Sequence, residues 1–170
     1  MNRILLTSAA LVLAAGSAAA APTSLGVFKD WSAFSNGAGD AKVCFAIARP
    51  KSSEPAKAKR DPIAFLINDW PSRRAKAEPE VEPGYQFKDG SKVTVEVGSD
   101  KFTLFTKNDS GDGGAWLQSS DDEARLIADM RNGQQLIVTG VSKRGTMTHD
   151  TYSLAGISDA VDKIHSECGM

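Results

Sequence analysis

Two short stretches and two histidines carry residue types that could do chemistry. Gly156-Ile157-Ser158-Asp159-Ala160 lies between an apolar run and a helical pattern. It is loosely like the strand–turn–helix elbow that presents a nucleophilic serine. Such a serine needs a base for its proton and an acid to orient the base. In that arrangement the histidine comes last, yet His165 stands only about two turns along the same predicted helix. Ser158 therefore reads as a helix N-cap. Asn108-Asp109-Ser110-Gly111-Asp112-Gly113 places oxygen ligands at alternate positions before a glycine, as a calcium loop does. Ser119 occupies the position where a bidentate glutamate belongs, so the segment reads as a solvated hairpin loop. His149 and His165 have no zinc-ligand spacing with each other or with Cys44 and Cys168. No catalytic set, metal or cofactor is expected.

The cysteines and the basic residues are more informative. Residues 1–21, MNRILLTSAALVLAAGSAAAA, hold one charge, Arg3, a short apolar run Ile4–Ala15, and small residues at Ala18-Ala19-Ala20. This is the pattern of a signal peptide, 1–20, cleaved after Ala20. The apolar run is too short for a bilayer span, so no transmembrane segment is expected in the mature chain. An exported chain meets an oxidising compartment, where Cys44 and Cys168 should pair in a disulfide. A reactive thiol next to His165 is the alternative reading. The loop 49–60 carries Arg49, Lys51, Lys57, Lys59 and Arg60 against Glu54, and a second basic loop carries Arg73, Arg74 and Lys76. Arg49, Lys57, Lys59, Arg60, Arg73 and Arg74 are expected to cluster into one positive surface for an anionic partner.

These residues must be held by strands. Val27–Phe34, Val43–Ile47 and Ile63–Trp70 are apolar strand candidates, and the charged stretches around Ile63–Trp70, RPKSSEPAKAKR and RRAKAEPEVEP, read as loops. Val93, Val95 and Val97 alternate with polar residues behind an Asp89-Gly90 turn. Phe102–Phe105, Ala115–Leu117, Leu136–Val141 and Met147–Leu154 follow as strands. Ser120 and Glu123 form a capping box for a helix that Gly133 ends, and Ser158–Ser166 makes a second short helix. Frequent short strands with two late helices predict an all-β sandwich rather than the alternative, an α+β sheet with both helices across one face, as one domain over 21–170. On the last strand Asp150 shares parity with Tyr152 and Leu154, so it should face inward or sit at the margin, unless a β-bulge flips the parity and leaves it in water. Such a carboxylate needs partners: backbone N–H groups or Arg144 across the turn, with a structural role.

Composition bounds the function. The chain has 170 residues, 24% of them charged, with a formal net charge of −1. This is no dedicated nucleic-acid binder, which would carry a basic excess. Two cysteines are too few for a disulfide-dense scaffold.

Several segments together resemble the invasion-associated locus B family of exported alphaproteobacterial proteins. They are Asp30-Trp31, Lys42-Val43-Cys44-Phe45-Ala46, Arg60-Asp61-Pro62, Trp70-Pro71 and Gly84-Tyr85, then Phe102–Phe105 and Ala115–Leu117. The most specific block is Ser142–Thr146 with Asp150–Gly156, followed by Ala160 and Cys168. The resemblance implies an immunoglobulin-like β-sandwich in the cell envelope and offers no catalytic residues. Some members are associated with host-cell invasion and others belong to free-living bacteria. Some have further cysteines that this chain lacks, so their disulfide pattern does not carry over. The reading is an exported, non-enzymatic envelope protein, periplasmic or secreted. As an interaction module it would meet an envelope or host protein, or an anionic surface component. An envelope hydrolase with an unrecognised site, and a structural or stress-related periplasmic protein, are the alternatives.

Overall fold

The computed structural model describes residues 21–170. The signal peptide expected over 1–20 lies outside the described residues. Among those residues, the strands are β1 (Thr23–Phe28), β2 (Trp31–Asn36), β3 (Val43–Ala48), β4 (Ser52–Glu54), β5 (Ala64–Trp70), β6 (Ala75–Glu82), β7 (Lys92–Val97), β8 (Asp100–Asn108), β9 (Gly113–Trp116), β10 (Gln135–Val141) and β11 (Met147–Ser153). The helices are α1 (Ser120–Asn132) and α2 (Ile157–Cys168).

All strand pairs are antiparallel, in the order β1-β2-β3-β5-β6-β9-β8-β7-β10-β11-β4. This single sheet folds over itself into a sandwich-like body. Phe65 of β5 meets Tyr152 of β11 edge-on at 5.9 Å between ring centroids, although six positions separate their strands. The indole Nε1 of Trp31 donates to the carbonyl of Ser153 at 3.0 Å across the same gap. The fold is thus mostly β with two late helices, and the sheet runs on without dividing in two.

Alternation puts Ala33, Cys44, Ala46, Phe65, Ile67, Val93, Val95, Leu136 and Tyr152 in the core. The small residues of β2 and β3 leave room for α2, whose Ile157, Ala160, Val161 and Ile164 pack there. Leu126, Ile127 and Met130 of α1 are buried, and that helix lies on β6, β7 and β8. Cys44 on β3 and Cys168 at the end of α2 form a disulfide, Cα atoms 6.0 Å apart, within the range such a bridge requires.

Several local expectations change. Val27–Phe34 is a hairpin, with Lys29 in the left-handed region (φ 53°) at its turn. The charged stretch after Trp70 contains a full strand, β6, and the loop 49–60 contains β4. The cap of α1 is Ser119, whose Oγ accepts from Asp122 N at 3.4 Å, one residue before the expected box. Gly156 rather than Ser158 caps α2, so Ser158 sits in the helix's first turn.

Candidate functional site

Asp150 faces inward as its parity requires, with 2% of its surface exposed. Its partner is Arg60, not Arg144. The Arg60 guanidinium straddles the carboxylate, Nη1 donating to Oδ2 at 3.0 Å and Nη2 donating to Oδ1. The two side chains are 6% and 3% exposed. Arg144 stands on the turn between β10 and β11, in solvent. The two-pronged fork satisfies both carboxylate oxygens at once, and it is the chain path through β4, whose Ser53 lies opposite Asp150, that brings Arg60 rather than Arg144 to it.

Backbone contacts deliver Arg60 to this place. Asp61 N donates to the carbonyl of Gly84 at 3.0 Å. Gly84 has φ +69°, and a Cβ there would collide with the Asp61 carbonyl; a side chain would part the two segments. Tyr85 follows directly, its ring centroid 5.6 Å from the Arg60 guanidinium carbon. The Tyr85 hydroxyl shares a 2.7 Å hydrogen bond with Thr148 Oγ1. Gly140 allows this approach, since a Cβ would lie 2.8 Å from the Tyr85 hydroxyl. Burial pushes the Tyr85 phenol above its ordinary value, against the pull of Thr148 and Arg60. Burial and the Asp150 carboxylate push Tyr152 up further.

Above this floor lies a pocket of about 400 Å³, walled by Lys59, Gln86, Gly111 and Ser142–Arg144. Its rim is shaped by a tight turn. Gly145 N donates to Ser142 O at 2.7 Å, and Ser142 Oγ accepts from Thr146 N at 3.1 Å. The turn holds Lys143 and Arg144 outward. Lys143 Nζ reaches Gln86 Oε1 at 3.4 Å. Among the described residues Lys59, Lys143 and Arg144 make no ion pair. Three free cations thus surround a floor whose own charges, Arg60 and Asp150, cancel.

The six basic residues expected to share one surface do not. Arg49 Nη1 donates to Ile63 O at 2.6 Å, at the start of β5. Lys57 is exposed on the loop that follows β4. Lys59 is on the pocket wall, and Arg60 is withdrawn from the surface. Arg73 and Arg74 follow the far end of β5, Arg73 bonded to Glu78 at 3.1 Å and stacked 4.5 Å from the Trp70 ring centroid. Seven strand residues span roughly 20 Å, about twice the Debye length of about 10 Å at 0.1 M salt. The two groups act separately.

The rejected chemistries also find places. Asn108 clasps Phe87, its Oδ1 accepting from Phe87 N at 2.8 Å and its Nδ2 donating to Phe87 O at 2.9 Å, so it serves the backbone. Among the described residues no three His, Cys, Asp or Glu side chains gather as a metal site would require. His149 Nδ1 meets Thr139 Oγ1 at 3.0 Å. His165 Nδ1 bonds the fully buried Asp69 at 2.7 Å. No serine or cysteine among the described residues is hydrogen-bonded to either ring. Sequence reasoning missed Tyr85, Thr148 and Lys143 as parts of the pocket. Thr148 had a usable signal, its shared parity with Asp150.

Among solved structures, the chain is similar to the invasion associated protein b from Bartonella henselae, with 14% sequence identity and a TM-score of 0.58. The match covers 85% of this chain and 98% of that one, and it shows a shared fold. No curated protein matches the sequence. The family model described as invasion associated locus B (IalB) protein matches residues 31–165. A match that runs from the start of β2 through β11 and α1 to His165 in α2, well over half of the chain, places it in the invasion associated locus B family.

Proposed function

We propose that this protein is an exported, non-enzymatic envelope protein that captures an anionic partner in the pocket above the Arg60–Asp150 pair. One observation carries the reading. Lys59, Lys143 and Arg144 converge from two separate loops on one concave site, and among the described residues none has a counter-charge. A partner bearing phosphate, sulfate or carboxylate groups would supply it. Family segments meet here as well: Arg60-Asp61, Gly84-Tyr85, Ser142–Thr146 and Asp150 all contribute to the pocket or its floor. The Tyr85 and Thr148 hydroxyls bond each other, Ser142 Oγ is taken by Thr146 N, and among the described residues no histidine lines the pocket, which supports binding over hydrolysis. The N-terminal pattern and the Cys44–Cys168 disulfide support export to the periplasm or beyond, as one domain over 21–170. Among the described residues no helix is long and apolar enough to cross a membrane. The family's description supports a role related to invasion, and the partner we propose is an envelope or host protein or an anionic surface component.

The test uses lipopolysaccharide as the anionic probe. The protein should bind it in a salt-sensitive manner. Lys59→Gln/Lys143→Gln/Arg144→Gln should weaken binding by about tenfold or more, while Lys29→Gln/Lys101→Gln/Lys163→Gln, which removes the same number of charges outside the pocket, should not. Equal binding by both variants would overturn the assignment.

A further inference from the structure

The second basic cluster borders a different site. A cleft of about 730 Å³ runs between α1 and the start of β6. Its helix wall offers Ala124, Ile127 and Ala128, and its strand wall offers Ala75 and Ala77. The floor is therefore largely carbon. Around it stand Arg73, Arg74, Lys76 and Arg131, with His165 and one carboxylate, Glu123.

These cations differ in availability. Arg73 is held by Glu78 and Trp70, and Arg131 by Asp162 at 2.6 Å. Arg74 and Lys76 make no ion pair among the described residues. His165 is fixed by its 2.7 Å bond from Nδ1 to the buried Asp69 carboxylate, which leaves Nε2 as the ring's unengaged nitrogen. Burial and the nearby Glu78 push the Glu123 carboxyl above its ordinary range.

The backbone narrows the choice of occupant. β6 pairs with β5 along its length but with β9 only at Glu80 and Val81. Its start is therefore a free edge, to which an extended peptide could in principle add. This edge is blocked. Ala77 adopts φ 55°, outside strand geometry, and its N–H is taken by Asp69 Oδ1 at 2.8 Å. Pro79 has no N–H to donate. A bulge and a proline are devices that prevent strand addition. An alkyl chain needs no backbone hydrogen bonds, and the cleft has the volume of a small-molecule site. Its concave walls suit a free molecule rather than a flat bilayer surface.

We propose that the cleft between α1 and β6 binds a free single-chain amphiphile with an anionic head. The chain lies against Ala124, Ile127 and Ala128, and the head meets Arg74, Lys76 and His165. The site is independent of the pocket above Arg60.

Isothermal titration of the full protein with dodecyl phosphate below its micellar concentration tests this. Dodecyl phosphate should bind saturably, and dodecyl maltoside, with the same chain and a neutral head, about tenfold more weakly or not at all. Ala128→Trp fills the cleft from an exposed helix position and should abolish binding of both. Arg74→Gly keeps the left-handed backbone at Arg74 (φ 54°). Combined with Lys76→Gln, it should weaken dodecyl phosphate binding without affecting dodecyl maltoside. The Lys59→Gln/Lys143→Gln/Arg144→Gln variant should bind dodecyl phosphate as the parent does, which separates this site from the other pocket. Equal affinity for both amphiphiles, full binding by Ala128→Trp, or attachment to phosphatidylglycerol vesicles without binding of the monomer would each overturn the proposal.

Discussion

Deleting one partner of the Arg60–Asp150 pair should be among the most damaging changes in this chain. Both side chains are nearly dry, and the guanidinium makes two hydrogen bonds to the carboxylate. Asp150→Ala leaves a buried cation with no counter-charge, a loss of about 3–5 kcal/mol. Asp150→Asn keeps the size but turns an amide donor toward Arg60, so it should cost nearly as much. Arg60→Lys retains the charge and loses the fork, a milder loss of about 1–2 kcal/mol. Replacing both partners together with Arg60→Met and Asp150→Leu should cost well below the sum of the single Ala variants, because no orphan charge remains. Urea unfolding with the disulfide intact is the assay. With m of about 1–3 kcal/mol per molar, a loss of 3 kcal/mol moves the midpoint by roughly 1 M or more. A cost below about 0.5 kcal/mol for Asp150→Ala would match an ordinary surface position and refute the reasoning.

Two further outcomes follow from the structure. Cys44→Ala/Cys168→Ala opens a loop spanning 124 positions, and on the chain-entropy model it should cost about 5 kcal/mol, read as a lower urea midpoint. The chain's two tyrosines, Tyr85 and Tyr152, both have phenols raised by burial. Their contribution to stability is complete below about pH 10, the unfolded value, and falls as pH rises beyond it, because the unfolded chain loses those protons first. Tyrosinate absorbance should thus appear at higher pH in the folded protein than in the unfolded chain, and a tyrosine titrating normally in the folded protein would contradict the burial argument.

How legible an element was in the sequence depended on what its inward face was made of. β7 alternates valine with polar residues and was plain. β5 is buried on both faces and reads as one apolar run. β6 has the same period of two, yet its inward residues are Ala75, Ala77, Pro79 and Val81, and its outward ones are Lys76, Glu78, Glu80 and Glu82. Small residues and a proline carry little strand signal, so the charges dominated and the segment looked like a loop. The β1–β2 hairpin reads as one strand in the sequence for a related reason. Its turn, Lys29-Asp30, has no glycine or asparagine, and a lysine adopts the positive φ instead.

The site shows where local reasoning stops. Parity placed Asp150 inside, and the cost of a buried carboxylate demanded a partner. Neither argument could say which cation. Arg144 is six residues away and Arg60 is ninety, but sequence distance is a weak guide, since closure cost grows only with the logarithm of loop length. What decides the pairing is β4, three residues long, whose Ser53 lies opposite Asp150 in the sheet. A strand that short leaves almost no pattern, so the loop 49–60 read as free in solvent. Once β4 docks on β11 and Asp61 clasps Gly84, Arg60 is carried inward while its neighbour Lys59 stays on the pocket wall. Charge counting treats those two cations as equivalent. The backbone path makes one a strut of the floor and the other a free charge facing a ligand, so any anion-binding role rests on Lys59, Lys143 and Arg144, with Arg60 beneath them as support.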